Sequence, residues 1–280
     1  MKYLSYLKSI VVFLVINFSF LACTEPTPNS NKNDVFIWDF SKPKKYIYRF
    51  SRTTTQQSDG SVFSKDITKT KVVTQTMKGK LLVKVKKNKM ADLIMTDVQE
   101  ENSVFGKKQF AGKDDFLPKV QVLYQDYPAN GQVEVLQSDI TLSMFFPLPP
   151  YDFAKGGSAK RPIKIPFHMG SSLLFAKGNY KLYFNKRTQK QQRNCAVLYG
   201  KWDISDLTIP EELNNEADLE YTGEGTYYFD YEKHCFVSAE VTLKVKMKAD
   251  MKIKSEFADL GKVSMNSTTK MKLELIKVEE

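Results

Sequence analysis

The chain has 280 residues, with 42 Lys+Arg against 32 Asp+Glu, 13 Gly, 11 Pro, 3 Cys and 2 His, for a formal net charge of +10. With 42% hydrophobic and 26% charged residues it has a globular composition, which excludes the disordered, collagenous and cysteine-scaffold classes. The length allows one large all-β domain or two smaller ones, and either buries a core without help from a metal.

Lys2 and Lys8 precede an apolar run of eleven residues, Ile10 to Phe20, that ends in Leu21-Ala22-Cys23. As a helix this run rises only about 16 Å, roughly half a bilayer core, so it reads as the apolar stretch of an export signal and not as a membrane span. Phe20-Leu21-Ala22-Cys23 resembles the lipobox of bacterial lipoproteins. The resemblance implies removal of residues 1–22, acyl chains on Cys23, and a lipid anchor in the bacterial cell envelope. Thr24 after the cysteine points to the outer membrane, with the periplasmic or surface face left open. Residues 23–34 are rich in Thr, Pro, Asn and Ser and hold no large apolar side chain, as a flexible tether requires. Loss of Lys2 and Lys8 takes the net charge from +10 to +8.

From residue 35 to 280 the chain reads as β. Tyr46, Tyr48 and Phe50, then Leu81, Val83 and Val85, then Leu93 and Met95 alternate with polar residues, the period of a half-buried strand. Asn130-Gly131 lies between Val120 to Tyr124 and Val133 to Leu136 and predicts a hairpin turn. Phe145 to Pro150, followed by Gly156-Gly157, is strand-breaking and predicts a crossover, so a seam between two halves falls near 145–160. Tyr46 to Thr54 aligns with Tyr180 to Thr188, which leaves open whether the halves are related.

In the second half, Gly178 to Lys186, Cys195 to Ile204, Leu219 to Tyr231 and Val237 to Ile253 read as successive strands, with a bend at Gly223 and Gly225. Pro210 to Leu219 is the best helix candidate, with Pro at its start and Glu211 and Glu212 in the first turn. Val237 to Ile253 alternates without a break for seventeen residues, about 56 Å of strand, so it must bend, bulge or break. The expected fold is mainly β, with long curved antiparallel sheets of half-barrel or open-barrel type and few short helices. In that layout the chain resembles the half-barrel carriers and insertases of the bacterial envelope and other envelope lipoproteins.

Few residues suggest catalysis. His168 and His234 lack zinc spacing, and His234 and Cys235, as neighbours on a strand, would face opposite ways. Gly223-Glu224-Gly225 lacks the third glycine of a dinucleotide fingerprint, and the acidic pairs Glu100-Glu101, Asp114-Asp115 and Glu211-Glu212 read as solvated. No catalytic residue, metal or cofactor is expected, and nucleic acid is not an expected partner of an exported chain. Cys195 and Cys235 fall two strands apart in a meander, about 9.6 Å, beyond disulfide reach, so two buried thiols are expected. Lys78, Lys80, Lys84, Lys86, Lys87 and Lys89 form one basic cluster and Lys244, Lys246 and Lys248 another. These read either as a solvated face or as contacts to a polyanion.

Long apolar faces without helices to cover them must face each other or a ligand. The expected function is therefore a non-enzymatic, membrane-anchored envelope protein binding a lipid or other hydrophobic ligand in a sheet cavity. Its ligand-facing candidates are Val241, Leu243, Val245, Met247, Met251 and Ile253. The alternative is a structural or adhesin-type surface protein that acts through protein partners.

Overall fold

The computed structural model describes residues 35–59, 71–104, 107–109, 120–131, 145–149, 155–169, 172–208, 216–250, 254–255, 258–259 and 262–280. They form an open, curved, antiparallel sheet of eleven strands. In chain order the strands of this sheet are β1 (Lys45–Asp59), β2 (Lys71–Val85), β3 (Met90–Val104), β4 (Lys107–Gln109), β5 (Val120–Pro128), β6 (Ser158–Met169), β7 (Ser172–Lys190), β8 (Arg193–Thr208), β9 (Glu216–Asp230), β10 (Cys235–Asp250) and β13 (Lys262–Glu279). Two short strands, β11 (Lys254–Ser255) and β12 (Ala258–Asp259), pair only with each other. The spatial order is β4-β3-β2-β1-β13-β10-β9-β8-β7-β6, and β5 pairs with β3 beyond the stretch held by β4. The first and last long strands therefore meet in the middle of the sheet, where β1 pairs with β13 over its full length.

The sheet is antiparallel throughout; β7 to β10 form the meander that the alternation predicts, and β6, which the alternation does not announce, adds to its edge. β10 carries its irregularity at Phe236/Ser238, close to its start, which answers the strain of so long a strand with a bulge. Two expectations are corrected. Glu216 to Leu219, read as the end of a helix, is the start of β9, because its alternation continues that of Tyr221 to Phe229 and pairs with β10; residues 210–215 lie outside the described residues. Gly223 and Gly225 do not bend the chain but sit inside β9, where their missing Cβ atoms make room for rings. A Cβ on Gly225 would collide with the Tyr227 hydroxyl, and one on Gly223 would strike Leu243 and press on Trp202. Gly131 does end a turn, with φ +67 and its N–H donating to the Pro128 carbonyl at 2.9 Å. Its expected partner strand, Val133 to Leu136, is outside the described residues.

The inner face is built by period-two alternation. Tyr46, Tyr48 and Phe50 on β1, Leu81, Val83 and Val85 on β2, and Tyr180, Leu182 and Phe184 on β7 are all buried in one core. Two segments fill the concavity. A strap, residues 35–44, sends Phe36, Trp38 and Phe40 inward, and Phe145, Phe146 and Leu148 follow them from the segment predicted as a crossover. That segment crosses because β5 and β6 lie at opposite edges of the sheet. Phe145 meets the ring of Phe50 on β1, and Phe146 meets that of Phe236 on β10. The strap is fastened where the Trp38 N–H donates to the Ala129 carbonyl and the Asp39 N–H to the His234 carbonyl, both at 2.9 Å. Burial works to raise the Asp39 carboxyl, but hydrogen bonds from Lys44 and Ser41 outweigh it and hold the group at about 2.

β6 forms one free edge and carries Pro162 and Pro166. Four residues apart, they fall at the same parity, so the donors they lack are missing from the same side of the strand. Being non-donors, they sit where β7 asks for no N–H, which removes donors from the open side and discourages another chain from adding there.

Candidate functional site

The concave face has two halves. In the half where β1 and β10 begin, the aromatic plug leaves a closely packed interior: Trp38 lies 5.0 Å from Phe146, 5.2 Å from Tyr46 and 5.5 Å from Phe236 between ring centroids. Phe36 packs 5.4 Å from Phe184 and 5.6 Å from Phe229. The strands then run on beyond the plug, and their inward residues change from buried to half-buried.

Of the ligand-facing candidates on β10, Val241 and Leu243 are buried in the core cluster, at 2% and 6% exposure. Val245 and Met247 are half-buried and pack at its margin. Met251 and Ile253 are outside the described residues, as is Cys23. The structure thus places four of the candidates along one inward line that passes from core to margin.

In that far half the inner face has two walls of different chemistry. One is apolar: Val245 and Met247 stand opposite Tyr221 and Leu219 of β9 in register. The other is polar and lies on β1, β2, β3 and β13. The hydroxyls of Thr54 and Thr269 bond across strands at 3.0 Å, and Glu100 Oε1 accepts from Gln75 Nε2 at 2.5 Å and Asn102 Nδ2 at 3.0 Å. Arg52 lies in register with Met77 and Met271 at the border between this wall and the core. These inward polar residues follow directly on Tyr46, Tyr48 and Phe50, so the polarity of β1 switches halfway along one face. Reading β1 as a half-buried strand from its first three apolar positions missed this wall; its signal was the continuation Arg52, Thr54, Gln56, Ser58 at the same phase.

Cys195 and Cys235 are both free and buried, one on each side of Asp230, with which each is paired in register. Burial, with the nearby Asp230 charge adding to it, pushes the Cys195 thiol up to about 11 and the Cys235 thiol up to about 12. Thiolates are therefore suppressed near neutral pH, which disfavours nucleophilic chemistry. Because the folded values lie above that of an unfolded thiol, this contribution to stability is complete below about pH 8.5 and is lost as pH rises toward 12. In a Cys23→Ser chain, a thiol-exchange reagent at pH 8 is expected to label neither cysteine until denaturant is added, and both thereafter. Rapid labelling of the folded chain would contradict their burial.

Asp230 itself is 1% exposed and fully used. Its Oδ2 accepts from Arg193 at 3.0 Å, and its Oδ1 accepts the N–H groups of Glu232 and Lys233, closing the β9–β10 turn. His234 belongs to this turn, with φ 49, and its ring lies 6.4 Å from Phe229. His168 is on the edge strand β6, far along the chain and the sheet from His234. Among the described residues no three His, Cys, Asp or Glu side chains gather as a metal site would need. No protein-family model matches the chain, and comparison with curated proteins finds no significant match.

Proposed function

We propose that this is a lipid-anchored, non-enzymatic protein of the bacterial envelope that holds an amphiphilic, lipid-like ligand against the far half of its inner sheet face. The observation that carries the reading is the two-toned wall beyond the plug. Val245, Met247 and Met77 supply apolar surface for acyl chains, and the Thr54–Thr269 and Gln75–Glu100–Asn102 bonds supply a polar strip where a headgroup would lie. Paired with one another at half-buried positions, these polar groups cost little where they stand, and their remaining lone pairs and donors face the concavity, where a headgroup could meet them. The lipobox resemblance at Cys23 supports the anchor and the envelope location, with the outer membrane favoured by Thr24.

A second reading, a structural or adhesin-type protein acting through protein partners, is favoured by the dry aromatic plug, which leaves the first half of the concavity without room for a ligand. Native mass spectrometry separates the two. The chain beginning at Thr24 is exported, purified without detergent and weighed intact. A discrete added mass that extracts as lipid, and that is lost in Met247→Asp, is the expected result. A bare mass that stays bare after incubation with envelope lipids would refute ligand binding and leave the partner-binding reading.

A further inference from the structure

We propose that the convex face of the sheet bears a membrane-docking strip that rests on the surface of a bilayer containing anionic lipid. Register places Val122, Ile94, Leu82 and Ile47 in one line across β5, β3, β2 and β1, and Ile276 closes it on β13 at the bulge opposite Ile47. Directly paired residues share a face, and Ile47 lies between the inward residues Tyr46 and Tyr48, so the line points away from the core. Its two ends are open to solvent, Val122 at 50% and Ile276 at 46% exposure. Five strands make the line about 19 Å long and one residue wide.

Cations bracket this line. Lys84 pairs in register with Lys45 on one side of it, and Lys80 with Arg49 on the other. Lys45 and Arg49 have only loose partners, Glu279 at 3.8 Å and Glu274 at 3.7 Å; Lys80 meets Asp97 at 2.8 Å, and Lys84 has no ion pair among the described residues. The excess extends along the face. On the four central strands, β2, β1, β13 and β10, the described outward side chains include eleven Lys and Arg against three carboxylates, Glu240, Glu274 and Glu279, a net of +8. Asp218, Glu220 and Glu224 on β9 border this band on one side and Asp92, Asp97 and Glu101 on β3 on the other, and they limit it.

The shape and charge favour a bilayer over a protein. An aliphatic line one side chain wide cannot form the dry core of a stable protein interface, which needs about 800 Å² from each partner. It does suit the boundary between headgroups and acyl chains, where short aliphatics dip in and lysine stems reach lipid phosphates. The strip lies within a few residues of the end of the sheet where the strap enters β1. Cys23 precedes the strap's first residue, Val35, by twelve positions, a span that cannot exceed about 43 Å however the chain runs, so an acylated Cys23 would hold the strip near the same surface. The choice of a bilayer as occupant rests on the anchored-lipoprotein reading; the strip itself does not.

The test uses the mature chain with Cys23→Ser, sedimented with phosphatidylcholine vesicles and with mixed phosphatidylglycerol–phosphatidylcholine vesicles. Binding to the mixed vesicles only, weakened by salt, is expected. Lys84→Ala should weaken it about fivefold. The double variant Val122→Asp/Ile276→Asp, altered only at the exposed ends, should weaken it about tenfold or more while keeping its far-UV spectrum and its protected thiols. No binding to mixed vesicles, or equal binding by the folded double variant, would overturn the proposal. Acylation of Cys23 is read separately from the mass of the chain extracted from envelopes. An unmodified Cys23 with vesicle binding intact removes the anchor and keeps the strip, and an acylated Cys23 without vesicle binding by the Cys23→Ser chain removes the strip.

Discussion

Trp38→Ala is expected to cost about 3–5 kcal/mol of folding stability, the range for deleting a large buried aromatic. The indole is 2% exposed and touches four parts of the chain at once. It stacks on Phe40 of its own strap at 5.7 Å, meets Tyr46 and Tyr48 of β1 at 5.2 and 6.5 Å, Phe146 of the crossover at 5.0 Å, and Phe236 of β10 at 5.5 Å. Truncation leaves a void that these rings cannot all close, since they are fixed to four different parts of the chain. Trp38→Phe should cost only about 1–2 kcal/mol, because a ring remains and the buried Nε1 donor, which has no hydrogen-bond partner, is removed with the indole. Urea unfolding followed by Trp202 emission and far-UV circular dichroism measures both. Equal losses in the two variants would show that the plug does not hold the strap in this way.

Asp230→Ala is expected to cost a similar amount, about 3–5 kcal/mol, for a different reason. The carboxylate is buried and serves three donors at once, the Arg193 guanidinium and the Glu232 and Lys233 N–H groups. Its removal leaves the β9–β10 turn without its acceptor and Arg193 without its counter-charge. Asp230→Asn keeps an acceptor for the turn, and the Arg193 side chain, 30% exposed, can hydrate its charge, so the amide should recover most of the stability. Cys195 and Cys235 flank the site, and in Asp230→Ala they should react with a thiol reagent before global unfolding. An Asp230→Ala chain with unchanged urea midpoint and silent thiols would count against the turn being held by this residue.

The fold class was readable because strand alternation is local. Val237 to Asp250 declares which side chains are buried whatever they pack against, and the two-strand separation of Cys195 and Cys235 followed from counting strands in a meander. Turn chemistry was readable only where the residues are typical. Asn130-Gly131 marked a turn but not its type, since only Gly131 of the two has a positive φ, whereas the β7–β8 connection uses Gln191 and Gln192 at φ 51 and 59, a left-handed pair that those side chains rarely adopt and that strand pairing imposes. Pro210 and the two glutamates after it signalled a helix through Leu219, but pairing with β10 makes Glu216 to Leu219 part of a strand.

The candidate site was legible only in part. Val241 to Met247 point inward as alternation requires, but sequence cannot say that Phe36, Trp38, Phe145 and Phe146 fill the nearer half of the concavity, since those residues sit far apart in the chain. Nor can it align Thr54 with Thr269 or Ile47 with Leu82 and Ile94. By itself, the sequence determined the strands, their two faces and the excess of positive charge, because these depend on side-chain identity and a period of two. Strand order, the plug and the rows that cross the sheet were decided by tertiary pairing, because register is set jointly by distant segments competing to bury the same apolar face.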